Sequence, residues 1–140
     1  MIIITGEPVD PSALYGKLGT SGAGSVLFHY AVVKSQAGDR PSDGIRFERA
    51  GDMEAELSAI ESEMRHRWNL EDVLLVRRIG VLDVGEIISL VAVSSPASHD
   101  AFEACRHGLD RLRRMTTLKK TERLLRLMHL TLQLKQKEVK

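Results

Sequence analysis

Two apolar stretches near the middle of the chain constrain it most. Val73-Leu74-Leu75-Val76 runs into Arg77-Arg78-Ile79, and Ile87-Ile88-Ser89-Leu90-Val91-Ala92-Val93 follows after the turn region Gly80 to Gly85. The second is apolar at nearly every position rather than at alternate ones, so it reads as a central strand buried on both faces. The rest of the chain has to supply that cover. With 140 residues, 43% hydrophobic and 28% charged, it has the material for one domain with a real core and too much apolar content for wholesale disorder. No apolar run approaches the roughly 20 residues of a membrane-spanning helix, so no membrane span is expected.

Met1 to Glu7 carries no basic region ahead of its apolar residues, which argues against a secretory signal and makes the cytoplasm the expected compartment. Cys105 is the single cysteine, and the histidines at 29, 66, 99, 107 and 129 show no ligand spacing. Neither a disulfide, nor a metal site, nor a bound cofactor is therefore expected.

The remaining elements follow from local pattern. Ile2–Thr5 is a first strand, and Asp10 before Pro11 starts a helix with Leu14 and Leu18 on one face and Gly19 as its stop. The glycine-rich run from Gly19 to Gly24 lacks a Gly-Lys-Ser/Thr ending and leads into a strand, Ser25 to Val33, which argues against a phosphate-binding loop. Residues 35–44, with Gly38, Pro41 and Gly44, read as an exposed loop before a strand at Ile45–Glu48. Asp52 caps a helix whose stripe is Met53, Leu57, Ile60, Met64 and Trp68, a packing face rather than a cofactor box. A second helix, after the break Ser94–Ser98, carries Phe102, Cys105, Leu109 and Leu112, which makes Cys105 a small core residue rather than a reactive thiol. Met115-Thr116-Thr117 predicts a bend, followed by a basic loop and then a basic amphipathic helix from Arg123 to Lys137.

Charge is balanced overall, at +1, but not along the chain: residues 106–140 hold 11 basic and 3 acidic residues, net +8. Such a segment is a solvated helical face, a site for a phosphate-bearing small molecule, or a contact for an acidic protein or nucleic acid.

Particular residues narrow this further. Gly24-Ser25-Val26-Leu27-Phe28-His29-Tyr30-Ala31-Val32-Val33-Lys34, then Glu48, Arg67-Trp68, Arg78-Ile79-Gly80-Val81-Leu82-Asp83-Val84-Gly85-Glu86, Ala101-Phe102-Glu103-Ala104-Cys105-Arg106, Asp110 and Lys120-Thr121-Glu122 resemble the large, catalytic subunit of molybdopterin synthase. The resemblance covers residues 2–122, and the expected division is a large-subunit-like domain at 1–122 with a basic helical extension at 123–140. It implies an α/β hammerhead-type α+β fold with a mixed, mainly antiparallel sheet and packed helices. It also implies a homodimer within a heterotetramer, each large subunit docking a small ubiquitin-like sulfur carrier. Sulfur from the carrier's carboxyl-terminal thiocarboxylate would pass to cyclic pyranopterin monophosphate, making molybdopterin. Because that sulfur arrives activated on the partner, the chain itself needs cations rather than a cysteine nucleophile.

The resemblance assigns catalytic roles to Lys120 and Arg113, and substrate binding to Lys34, His99, Lys119, Thr121, Glu122 and Arg114. Four positions depart from the family. Lys34 stands for an arginine, Arg113 for a lysine, Ala97-Ser98 for a His-Arg pair with His99 close behind, and Thr117-Leu118-Lys119 for Pro-x-Trp. Arg113 keeps the cation but cannot act as a proton-transfer base. Three functions stay open here: a synthase subunit with a remodelled site, a catalytically degenerate paralogue that dimerises and binds a sulfur carrier without sulfur transfer, and an unrelated anion binder. Nucleic acid is the least expected partner, since no aromatic interleaving accompanies the charge.

Overall fold

The computed structural model describes residues 1–124, which form an α+β fold with two sheets. The first has the order β1 (Ile2–Thr5), β5 (Asp72–Arg78), β7 (Ile87–Ser95), β2 (Ser25–Val32). β1 runs parallel to β5, and the other two pairings are antiparallel. β7 is central and buried along its length, as its unbroken apolar run predicts. Its two faces carry different cover. Val91 and Val93, with Val73 and Leu75 of β5, pack under α2 (Met53–Arg67) and α3 (Ser98–Arg113). Leu90 and Ala92, with Leu74 and Val76, pack against Leu14 and Leu18, which belong to the short helix α1 (Pro11–Leu14) and the 3-10 turn after it.

The starts of α1 and α2 follow the capping chemistry. Asp10 accepts from the Ser12 amide at 3.0 Å and Asp52 from the Ala55 amide at 3.0 Å. Met53, Leu57, Ile60 and Met64 of α2 are fully buried, each contributing about 1.5–3 kcal/mol. On α3 the buried residues are Ala101, Ala104, Cys105, Gly108 and Leu112, whereas Phe102 is 58% exposed. The expected stripe through Phe102 is thus turned toward smaller residues. A Cβ on Gly108 would sit 3.0 Å from Met64 Sδ and 3.1 Å from Val91, so α3 lies too close to its neighbours for a large side chain on that face. Cys105 is buried as expected, and burial pushes its thiol up to about 11.

The second sheet departs most from the sequence reading. The segment at 35–44 is no loop: β3 (Gln36–Ala37) turns through Gly38-Asp39 into β4 (Arg40–Arg49), with Gly38 at φ +66° in a two-residue hairpin turn. Its glycines, proline and aspartates are turn and bulge residues within a strand. Pairing is irregular between Ser42 and Gly44; Gly44 has φ +140°, and a Cβ there would lie 2.1 Å from the Leu82 carbonyl oxygen. Gly80–Asp83, expected as turn, is strand β6 on one side of β4. Leu118–Leu124, expected as a basic loop entering a helix at Arg123, is strand β8 on the other side. The bend before it is present, at Thr116-Thr117. The helix expected beyond Leu124 lies outside the described residues. Among the described residues no helix is long and apolar enough to cross a membrane.

Candidate active site

A cavity of about 670 Å³ opens where the two sheets meet. Its wall takes Lys34 just after β2, Ile45 and Phe47 from β4, Arg77 from the end of β5, Ser89 from β7, Arg113 from the end of α3, and Lys120 and Glu122 from β8. The β8 register explains the last two. Lys120 pairs with Phe47 and Glu122 with Ile45, so all four side chains share one face. That geometry depends on the bend before β8. Glu56 of α2 accepts from the amides of Thr116 and Thr117 at 3.0 and 3.1 Å, and from the Thr117 hydroxyl at 2.6 Å. Burial works against the Glu56 charge, but the hydrogen bonds from Thr117 and Thr116 outweigh it and hold the carboxyl below the ordinary carboxylate range.

Four of the eight site residues named from sequence therefore converge: Lys34, Arg113, Lys120 and Glu122. Lys120 Nζ lies 3.4 Å from Glu122 Oε1, and the Ser42 hydroxyl donates to Glu122 Oε2 at 3.0 Å. The other four do not line the cavity. Lys119 and Thr121 alternate with Lys120 and so point to the other face of β8. Arg114 pairs with Asp110 on the exposed side of α3. His99 sits in the first turn of α3, fourteen residues before Arg113 and so about 20 Å away along the helix.

The structure adds a residue that sequence reasoning passed over. Arg77, 5% exposed, lies in the cavity wall. Its Nη1 donates to the Leu112 carbonyl at 3.3 Å, and its guanidinium carbon stands 4.4 Å from the Phe47 ring centroid. Burial pulls it down to about 10, so it stays charged at neutral pH. The signal was present: period-two alternation from Val73 and Leu75 puts Arg77 on the helix-covered face. The cavity thus gathers four cations, Lys34, Arg77, Arg113 and Lys120, against one carboxylate, and is built to hold a small anion or stabilise developing negative charge.

The chain is similar in sequence and in fold to known proteins. The molybdopterin synthase catalytic subunit of Bacillus subtilis is 27% identical over 120 residues, covering 85% of this chain and 76% of its own. That of Nostoc is 28% identical over 121 residues, covering 85% and 73%. The crystal structure of molybdopterin synthase from Staphylococcus aureus superposes with a TM-score of 0.78 at 25% identity, over 89% of this chain and 90% of that one. A Helicobacter pylori complex of subunits 1 and 2 of molybdopterin-converting factor shares the fold, with a TM-score of 0.63 at 13% identity. Residues 4–115, most of the chain, match the family described as MoaE protein, and the chain belongs to that family.

Proposed function

We propose that this chain is the catalytic subunit of a molybdopterin synthase, working in the cytoplasm on cyclic pyranopterin monophosphate with sulfur delivered as a thiocarboxylate on a small carrier subunit. The observation that carries this is the convergence on one cavity of Lys34, just after β2, with Arg113 at the end of α3 and Lys120 on β8. Those cations suit a reaction in which both partners are anionic. The carrier's tail brings a thiocarboxylate, and the pterin brings a phosphate whose ring must open.

Each transfer forms a carbon–sulfur bond on the pterin in place of a carbon–oxygen bond, and water then cleaves the acyl–sulfur bond to release the carrier tail as a carboxylate, so negative charge moves between sulfur, acyl oxygen and phosphate. Lys120, on a rigid strand opposite Phe47, is placed to follow that charge. Arg113 offers a planar set of N–H donors and orients rather than transfers a proton. Cys105 takes no part as a sulfur carrier, since its thiol lies on the buried face of α3 and is raised in pKa. Assembly as a homodimer with one carrier per large subunit fits the exposed apolar side chains Val26, Tyr30 and Val32 on β2, an edge strand.

The test is reconstitution. The chain, a thiocarboxylated carrier and cyclic pyranopterin monophosphate are mixed, and dithiolene pterin is read as its fluorescent oxidation product. Product is expected, and Arg113→Lys is expected to retain it. No product from either protein, with carrier binding intact, would leave the non-catalytic paralogue as the correct reading.

A further inference from the structure

Arg77 and Arg78 are neighbours at the end of β5, and each is only 5% exposed. Their surroundings differ in kind. Arg78 donates through Nη1 to Glu86 at 2.9 Å, through Nε to the Gly6 carbonyl at 3.2 Å and through Nη2 to the Val81 carbonyl at 3.3 Å. Its charge is balanced and each of its nitrogens has a partner. Arg77 has one long hydrogen bond, to Leu112, and the face of Phe47. Its Nε is buried without a partner, and no carboxylate of the described residues forms an ion pair with it. A buried charge is costly unless something opposite balances it. Here the α3 carboxyl-terminal carbonyl and the ring quadrupole offset only part of that cost. Among the described residues, the cavity that Arg77 lines is open to such a counter-charge.

We infer that Arg77 is an anchor for a small oxyanion, a phosphate group or a terminal carboxylate, held between its guanidinium and the cations Lys34, Arg113 and Lys120. The inference rests on reading this cavity as the substrate site. Turned from Leu112 toward the cavity, Nε and one Nη offer two parallel N–H donors, the planar fork that Lys34 lacks. The positioning power of a bidentate grip is thereby moved from the rim to the floor. An anion bound there also neutralises the buried charge, so binding and folding stability are linked.

The test uses the full chain and two probes, inorganic phosphate and a synthetic peptide ending in a Gly-Gly carboxylate, each titrated calorimetrically at constant ionic strength. Arg77→Met is expected to weaken at least one of them tenfold or more, and Arg77→Lys severalfold. The exposed Arg46→Met, on the other face of β4, is expected to bind like the parent. Loss for phosphate alone assigns the floor to the phosphate, and loss for the peptide alone assigns it to the carrier tail. Phosphate or peptide, whichever binds at the floor, raises the parent's melting temperature and leaves that of Arg77→Met unmoved. Affinities of Arg77→Met within twofold of the parent for both probes overturn the inference. Should that variant fail to fold, Arg77→Lys decides, and parental affinity in it is equally fatal. The sulfur-transfer assay separates this result from the functional reading. Product with no Arg77 dependence of binding removes the anchor alone, whereas Arg77-dependent binding without product removes the synthase reading alone.

Discussion

The outer surface and the cavity treat cations in opposite ways. On the helix side, Arg65 meets Glu61 at 3.1 Å and Asp72 at 2.8 Å, and Arg111 meets Glu63 at 2.8 Å. Arg49 meets Glu54 at 2.7 Å, and Arg114 pairs with Asp110. Exposed pairs of this kind contribute little to stability, typically below about 1 kcal/mol, but they cancel the local field. In the cavity that cancellation is missing. Among the described residues, Lys34, Arg77 and Arg113 have no ion-pair partner, and only Lys120 shares a carboxylate. A fold that pairs most of its other described arginines and leaves three cations unpaired in one recess keeps a field there for a ligand.

The contrast breaks most severely at the rim. Removing Lys120 takes away a cation that is 56% exposed, so the fold should survive while chemistry does not. Lys120→Ala is expected to lower sulfur transfer at least 100-fold, about 2.7 kcal/mol of barrier, with the circular dichroism spectrum unchanged. A change of less than fivefold would mean that the cavity is not where the charge develops.

Next in size is the paired arginine. Glu86→Ala strips the counter-charge from buried Arg78 and is expected to cost about 2 kcal/mol in denaturant unfolding, scaled down from a fully buried pair because Glu86 is a quarter exposed. Arg77→Met, one residue earlier on β5 but with no carboxylate to abandon, is expected to fall within about 1 kcal/mol of the parent or above it. Equal losses in the two variants would show that Arg77 is as structural as Arg78 and would dissolve the distinction between surface and cavity.

How much of this could be read before the structure follows the same division. The first sheet was legible because burial on both faces leaves an unbroken apolar record in β7, and because Asp52 and the Met53–Met64 stripe are local signals. Lys34, Arg113 and Lys120 were legible through family resemblance, although nothing local says that they meet. Of the second sheet only Ile45–Glu48 was legible, by its alternation; the rest was hidden, since β4 also contains Pro41, Asp43 and Gly44, and β8 contains Lys119-Lys120-Thr121-Glu122. Those stretches lack strand character alone and become strand by pairing, a non-local contact that composition does not record. Phe102 misled for a steric reason, because close packing at Gly108 selected the small-residue face of α3. Arg77 was passed over because the stretch that carries the family resemblance there begins at Arg78, although alternation from Val73 and Leu75 already put it on the helix-covered face.

The smallest effect concerns the latch that joins the two regions. Glu56, on the paired helix side, holds the bend from which β8 carries Lys120 into the cavity. Because its folded pKa is lowered, its contribution is full above the unfolded carboxylate value of about 4.3 and is lost as pH falls through the lowered folded value. Glu56→Gln keeps one acceptor and loses the charge, so it should cost about 1 kcal/mol at pH 7. The gap between variant and parent should close on acidification below pH 4, as the parent's own carboxylate takes up a proton. Asp72, Glu61 and Glu86 are also held low, so the parent keeps an acid-side slope after that gap has closed. Unfolding curves at pH 7, 5, 4 and 3 measure it, and a gap that stays constant across them would remove the latch from the account. With the bend loosened, Lys120 loses part of its fixed position, and sulfur transfer should drop by about two- to fivefold through a raised KM rather than a lost step.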